Sequence, residues 1–568
     1  MFQPLQSLTL MQKMVKIPPS KALSLFNSST VQGVQPTHQS SSLILHLLIS
    51  SRMLAQAQAL LLQLLSGNIP SLSFTPSTLL HHLSHTNTNQ NSNSTLLLLT
   101  LIVDSLIQCQ SPCPALSFFD QMITRGFRPR TNTFNNLINL LLKSNSFENA
   151  LRVFDTARNR IELDSYSFGI MINGCCQLGY LDKAFELLSQ IGECGFTPNV
   201  IVYTSLIDGC WKNGDFRAAK RLFSEMGELG LVANEFTYTV MINGCFREGL
   251  RKDGFELFDE MKMKGVMPNI YTYNSVIYEY CNGGDLSSAF KLFGEMREKG
   301  VACNVVTYNT VIGGLCRQKR LMEAERLMGR MTSAHLSPNT ITFNVLIDGF
   351  CKLGKLAEAS RMFDRMKVSG CSPSLVTYNV LIDGFSRGGD LVGASNFFRE
   401  MKEREIAPSN VTYTILINAL VRENDMEKAF EMYSSMEKAR LVADVYTYGV
   451  LIHGLCVNGN MKDAWKLFRS MIEKGLNPND VIYNTMIFGY CREGSSYRAL
   501  RLVKEMGENG MVPNVASYSL TIGVLCKDGK WQDAEVLLDE MVASGLHPCN
   551  SIYGRISNAK EKDTLHCS

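Results

Sequence analysis

Acidic residues are absent from the first hundred positions. The first is Asp104, and the only charges before it are Lys13, Lys16, Lys21 and Arg52. A segment with no acids and many Ser, Leu and Gln has the character of an organelle transit peptide, expected here over residues 1–40. The secretory pattern of basic residues, one apolar block and a small-residue cleavage site is missing. Long apolar runs are also missing: the patches Leu43–Ile49 and Leu96–Val103 are too short or too interrupted to span a bilayer. Strong net charge is lacking too. The whole chain carries only +3, so any basic patch for a nucleic acid must be local. Seventeen cysteines are present, but no two stand three residues apart, and Cys109 and Cys113 have no paired His or Cys cluster nearby to complete a zinc site. The cysteines therefore read as small buried packing residues in a reducing compartment.

What is present is repetition. Hydrophobic residues make up 45% and charged residues 19%, enough apolar side chain to fold. An aromatic residue returns every 35 positions at Tyr203, Tyr238, Tyr273, Tyr308, Phe343, Tyr378, Tyr413, Tyr448, Tyr483 and Tyr518, with Phe168 and Phe134 before them. Prolines keep the same step at Pro198, Pro268, Pro338, Pro373, Pro408, Pro478, Pro513 and Pro548. Alanines keep it from Ala150 and Ala184 to Ala534. Within one unit Tyr308, Val311, Ile312 and Leu315 are spaced for one helix, and Ala324, Leu327, Met328 and Met331 for a second. Glycines between the two, such as Gly179, Gly214, Gly249, Gly354 and Gly529, suit the left-handed residue that ends a helix. A Gly-x-x-Pro sequence, as at Gly195–Pro198, stops the second helix. Neither helix buries its apolar stripe alone, so the units must stack. The fold expected is all-α, a right-handed superhelical α-solenoid of helix-turn-helix repeats. About 13 repeats start near 96, 131, 165, 200, 235, 270, 305, 340, 375, 410, 445, 480 and 515. Residues 41–95 are expected to hold a degenerate helical cap and, over 73–95, a polar linker. Residues 550–568 are expected to form a tail that begins like one more first helix and then stops.

The recurring phrase is Val-x-Thr-Tyr-Asn-x-Leu-Ile-x-Gly-x-Cys-Lys-x-Gly, then Ala, Leu-Phe, Glu-Met and Gly-x-x-Pro-Asn. It closely resembles the pentatricopeptide repeat family, plant organellar RNA-binding proteins, over roughly residues 96–549. The uniform spacing is similar to that of the P-type subclass, whose members act by binding. The tetratricopeptide repeat, a protein-binding scaffold, has two helices in a similar length, but its Trp-x-x-Leu-Gly-x-x-Tyr pattern is absent.

Repeats of this kind read one unpaired base each. The residue after the repeating aromatic is Asn135, Thr204, Thr239, Asn274, Asn309, Asn344, Asn379, Thr414, Asn484 or Ser519, and glycine at Gly169 and Gly449. The residue before the next first helix is Asp164, Asn199, Asn234, Asn269, Asn304, Asn339, Ser374, Ser409, Asp444, Asn479 or Asn514. This second set could consist of helix caps alone. An Asn or Thr inside a helix is not explained that way, because both are mediocre helix formers. The two sets match the positions with which the family chooses bases. By that resemblance Thr with Asn implies adenine, Thr with Asp guanine, Asn with Asp uracil, Asn with Ser cytosine, and Asn with Asn a pyrimidine. The implied site is 5′-U-n-A-A-Y-Y-C-C-G-n-Y-3′, with the two glycine repeats undetermined. Thr100 with Arg130 and Ser519 with Cys549 depart from the pattern and leave both ends open.

Two further series accompany these. A cation closes most first helices: Lys143, Lys212, Arg247, Arg317, Lys352, Arg387, Arg422, Arg492 and Lys527. They could line the RNA backbone, or simply answer the helix dipole. Three residues before the aligned Asn or Thr, the base reader of each repeat in this resemblance, the side chain is often apolar: Ile201, Phe236, Tyr271, Val306, Ile341, Val376, Val411, Tyr446 and Val481. In the family these wedge the bases; the alternative is packing between repeats. Enzymatic parts are not found: no deaminase His-x-Glu with Pro-Cys-x-x-Cys, no nuclease domain and no phosphate-binding glycine loop. No catalytic residue, metal or cofactor is expected. The function expected is sequence-specific binding of single-stranded organellar RNA, alongside other RNA-processing factors, in support of intron splicing or transcript stabilisation. The mitochondrion is favoured over the chloroplast. A protein-interaction scaffold and an editing-site recogniser acting with a separate deaminase are the alternatives.

Overall fold

The computed structural model describes residues 16–31, 37–66, 92–158 and 160–566, together with Met14. The described residues hold 30 helices and no strand. They divide into two compact units, residues 1–275 and 276–568. Each unit is a stack of helical hairpins in which the first helices of consecutive repeats pack on one another. The first helices begin at Thr131, Ser165, Val200, Glu235, Ile270, Val305, Thr340, Leu375, Asn410, Val445, Asp480 and Val515, each where the repeat phase places it.

The repeat that starts at Thr340 shows why the chain folds this way. Asn339 is extended, with φ −107° and ψ 177°, and its Oδ1 accepts the Thr342 N–H at 3.0 Å. The Asn339 N–H in turn donates to Thr342 Oγ1 at 3.2 Å. Such a cap contributes about 1 kcal/mol. The helix Thr340–Lys352 ends at Gly354, whose φ of +69° is left-handed. Gly354 N–H donates to the Cys351 carbonyl and Lys355 N–H to the Phe350 carbonyl, both at 3.0 Å, which satisfies the last turn. The second helix, Leu356–Val368, is followed in the same way by Gly370, at φ +75°. Phe343, Leu346, Ile347 and Phe350 from the first helix and Ala359, Met362, Phe363 and Met366 from the second are buried. The repeating alanines, from Ala150 to Ala534, are fully buried.

Consecutive repeats meet through two recurring contacts. The repeating tyrosine stands edge-on to a phenylalanine from the preceding second helix, as at Phe293–Tyr308 (5.2 Å between centroids) and Phe363–Tyr378 (5.6 Å). The repeating glycine of the first helix lies against the cysteine of the helix before it. A Cβ on Gly384 would come within 2.3 Å of Cys351 Sγ, and one on Gly209 within 2.5 Å of Cys176 Cβ. Glycine and cysteine together let the backbones approach, so the repeating cysteines of the first helices, such as Cys176 and Cys351, are packing residues, whereas Cys113, Cys194 and Cys549 are exposed.

Three features differ from expectation or add to it. Inside the expected transit segment, Pro19–Val31 is a helix with Ala22 and Phe26 buried. The helix Ser92–Gln108 begins within the stretch expected as a linker, the rest of which (73–91) lies outside the described residues. Asn550–His566 forms a helix in place of a tail. It packs on Val515–Lys527, with Ile552 and Ile556 buried, because its apolar residues fall at helical spacing. No described helix is long and apolar enough to cross a membrane.

Candidate nucleic-acid interface

From Ser165 onward, the residues that precede the first helices are caps; Arg130, before Thr131–Lys143, makes no side-chain cap bond. Asp164, Asn199, Asn234, Asn304, Asn339, Ser374, Ser409, Asp444, Asn479 and Asn514 each accept a backbone N–H from their own helix. Asn269 accepts those of Tyr271 and Thr272. The capping explanation is therefore true, but it does not exhaust these residues. Capping fixes which atom remains. An Asn that spends Oδ1 on the helix keeps Nδ2, a donor. An Asp that spends Oδ1 keeps Oδ2, an acceptor.

The residues after the aromatics are tied to these caps across the repeat boundary. Thr342 Oγ1 donates to Asn309 Oδ1 at 2.7 Å and lies 3.1 Å from Asn339 Oδ1; Asn309 Nδ2 reaches Asn339 Oδ1 at 3.4 Å. Thr412 links Asn379 (2.7 Å) to Ser409 (3.2 Å), and Thr447 links Thr414 (2.7 Å) to Asp444 (2.8 Å). Thr237 joins Thr204 to Asn234, and Thr272 joins Thr239 to Asn269. Ser517 donates to Asn484 at 2.7 Å, and the Asn514 N–H reaches the same Oδ1 at 3.3 Å. In the first five of these the link runs from the residue after the aromatic through a buried hydroxyl to the cap; at Asn484 the Ser517 hydroxyl bonds that residue alone and the Asn514 backbone N–H closes the link. The pattern is incomplete elsewhere. Asn135, Asn274 and Asn344 have a buried Oδ1 with no partner, and Ser167 and Thr377 bond only to the caps Asp164 and Ser374. Asn274 lies in the first unit and Asn304 in the second.

The apolar series is not packing. Ile201, Phe236, Tyr271, Val306, Ile341, Val376, Val411, Tyr446 and Val481 are all between 57% and 68% exposed, although they stand one turn from buried residues. Nothing in the core requires a branched or aromatic side chain there.

The PPR repeat family matches residues 129–177, 164–212, 198–247, 240–282, 268–317, 303–352, 338–387, 373–422, 411–457 and 478–527, and single PPR repeats match 446–476 and 516–546. The chain belongs to the pentatricopeptide repeat family. A pentatricopeptide repeat-containing protein of Arabidopsis thaliana is 51% identical over 200 residues, which is 35% of this chain and 35% of that relative. A second from the same organism, described as chloroplastic, is 34% identical over 108 residues, 19% of this chain and 14% of the relative. This chain thus spans well under half the length of the curated relatives it matches. The crystal structure of the pentatricopeptide repeat protein PPR10 from maize is 21% identical with a TM-score of 0.46, covering 98% of this chain and 91% of that one.

The pentatricopeptide repeats place their cations less favourably than the sequence suggests. Lys212, Lys352 and Arg387 are paired with Asp208, Asp348 and Asp383 one turn back. Arg247 and Arg492 donate to the carbonyls of Trp211 and Val457 in the preceding repeat. Arg317 lies over the Tyr278 ring at 5.7 Å. These contacts use much of the charge locally. Lys143, Arg422 and Lys527 stand in the last turn of their helices. The sequence reading missed two features. One is the buried hydroxyl of Thr237, Thr272, Thr342, Thr412, Thr447 and Ser517, which hydrogen-bonds to the residue after the preceding repeat's aromatic. Its signal was the Thr that recurs just before the aromatic. The other is Tyr166, 61% exposed at the same register as the exposed apolar series.

Proposed function

We propose that this chain binds single-stranded RNA of the sequence 5′-U-n-A-A-Y-Y-C-C-G-n-Y-3′, one base per repeat, within an organelle, where it supports RNA processing such as intron splicing or transcript stabilisation. The observation that carries this reading is the hydrogen-bond chain from reader through buried hydroxyl to cap, which holds a defined pair of polar groups together at Thr204/Asn234, Thr239/Asn269, Asn309/Asn339, Asn379/Ser409 and Thr414/Asp444. The ring nitrogen on the Watson–Crick edge accepts a proton in adenine and cytosine and donates one in guanine and uracil. A cap that keeps the Asn Nδ2 donor suits the first pair, and one that keeps the Asp Oδ2 acceptor suits the second, except that an Asn cap with an Asn reader is assigned either pyrimidine by the family resemblance. The reader then chooses size. Thr239 and Thr414 are short and buried, leaving room for a purine, whereas Asn309, Asn344, Asn379 and Asn484 are longer and half-buried. The exposed wedges supply faces on which neighbouring bases stack, worth about 1–3 kcal/mol per base. Relatives of the chain include proteins named chloroplastic and mitochondrial, which supports an organelle and leaves the mitochondrion as our preference.

The test is a gel-shift of the full chain on U-A-A-A-C-C-C-C-G-A-U against the same RNA with the seventh and eighth bases, faced by Asn344/Ser374 and Asn379/Ser409, changed to G. Each mismatch should cost about 1–3 kcal/mol. Equal binding to both RNAs contradicts one-base-per-repeat reading. Binding to neither at low salt contradicts RNA binding and favours a protein scaffold.

A further inference from the structure

Two repeats break the pattern in the same two ways at once. Their readers are glycines, Gly169 and Gly449. In both cases the buried hydroxyl of the next repeat is also missing: Val202 and Ile482 stand where Thr237, Thr272, Thr307, Thr342, Thr377, Thr412 and Thr447 stand in other repeats. From Thr133 to Ser517 these are the only two apolar residues at that position, and each follows a glycine reader. Both are buried, and a Cβ on Gly169 would lie 3.5 Å from Val202 Cγ2, one on Gly449 3.4 Å from Ile482 Cγ1. The vacant reader position therefore has an apolar floor. The caps are kept: Asn199 Oδ1 accepts the Val202 N–H and Asn479 Oδ1 the Ile482 N–H, both at 3.0 Å. The wedge is a tyrosine in each, Tyr166 and Tyr446, more than 60% exposed.

Resting on the reading above, we infer that these two repeats select adenine, at the second and tenth bases of the site. With the reader gone, the one polar group left is the cap's Nδ2 donor. It needs an acceptor at the ring nitrogen, which adenine and cytosine have and guanine and uracil lack. Cytosine also carries O2, an acceptor that would lie against Val202 or Ile482 with no donor, and a desolvated acceptor without a partner is costly. Adenine has a C–H at the corresponding place. Its two rings also fill the space that the missing side chain leaves, and cover more of the Tyr166 or Tyr446 face. The trend from Asn through Thr to Gly is one of growing room for the base.

The experiment measures fluorescence anisotropy of the full chain on U-A-A-A-C-C-C-C-G-A-U, and on RNAs carrying C, G or U at the second or tenth base. G or U should weaken binding about ten-fold at either position, with C between. A double variant, Gly449→Asn with Ile482→Thr, rebuilds the reader and its hydroxyl. It should move the tenth base from adenine to a pyrimidine and leave the second unchanged. If all four bases bind alike at both positions while the change of the seventh and eighth bases to G still weakens binding, this inference falls and the RNA reading stands. If no RNA binds, both fall.

Discussion

Thr342 illustrates what a single buried hydroxyl does in this chain. It donates towards Asn309 and Asn339 and accepts the Asn339 N–H. Thr342→Val keeps the volume and removes all three interactions. We expect a loss of about 1–3 kcal/mol in denaturant unfolding, and at the sixth base a loss of discrimination between pyrimidine and purine. Undiminished discrimination would show that the hydroxyl does not orient the reader. The readers and caps themselves were legible in the sequence, because polar residues at a fixed place inside a helix need a reason. The hydroxyl was not singled out, since Thr and Ser in the first turn of a helix are common on capping grounds alone. Wedge and packing could not be separated in the sequence either: a valine such as Val376 has the same composition signal whether buried or exposed, and only its 57% exposure decides.

At the scale of the helix, the turns show where the repeat is not optimal. Most first helices end at a left-handed glycine, but Asn145, Lys319 and Asn424 adopt φ of 59–63° at the same point. The left-handed region costs a residue with a Cβ about 1–2 kcal/mol, so Lys319→Gly should raise the urea midpoint; a lower midpoint would contradict this account of the turn. The opposite change at the helix contact, Gly384→Ala, pushes a methyl group into Cys351 and should destabilise by about 1–3 kcal/mol. An unchanged midpoint would mean the helices separate freely. Helix starts were legible because the Pro-Asn cap and the left-handed glycine recur in register. The helix at Pro19–Val31 was not, because no repeat landmark precedes it; of Asn550–His566 only the start was legible, after Gly545 and Pro548, because the repeat pattern then stops and packing against Val515–Lys527 carries the helix on.

Among the described residues, burial pushes the thiols and phenols of the helical core upward. The thiols of Cys316, Cys351 and Cys456 are pushed from 9.0 to about 12, by burial first. The phenols of Tyr203, Tyr378 and Tyr483 are pushed from 10.0 to about 12, by burial and then by a neighbouring glutamate. The unfolded chain releases these protons at lower pH than the folded one. The stability they contribute is complete below pH 9 and lost as pH rises towards about 12. The urea midpoint should therefore be lower at pH 10.5 than at pH 8; equal midpoints would contradict the burial of these groups. The measurement that tests the central claim most directly is a change of one cap with the matching change of one base. Thr414 with Asp444 presents an acceptor to the ninth base, and Asp444→Asn keeps the cap but presents a donor. The account predicts that this variant prefers A over G at the ninth base by about ten-fold or more, reversing the parent's preference, with all other positions unchanged. If G remains preferred, or the preference moves at a different base, the one-base-per-repeat account is wrong.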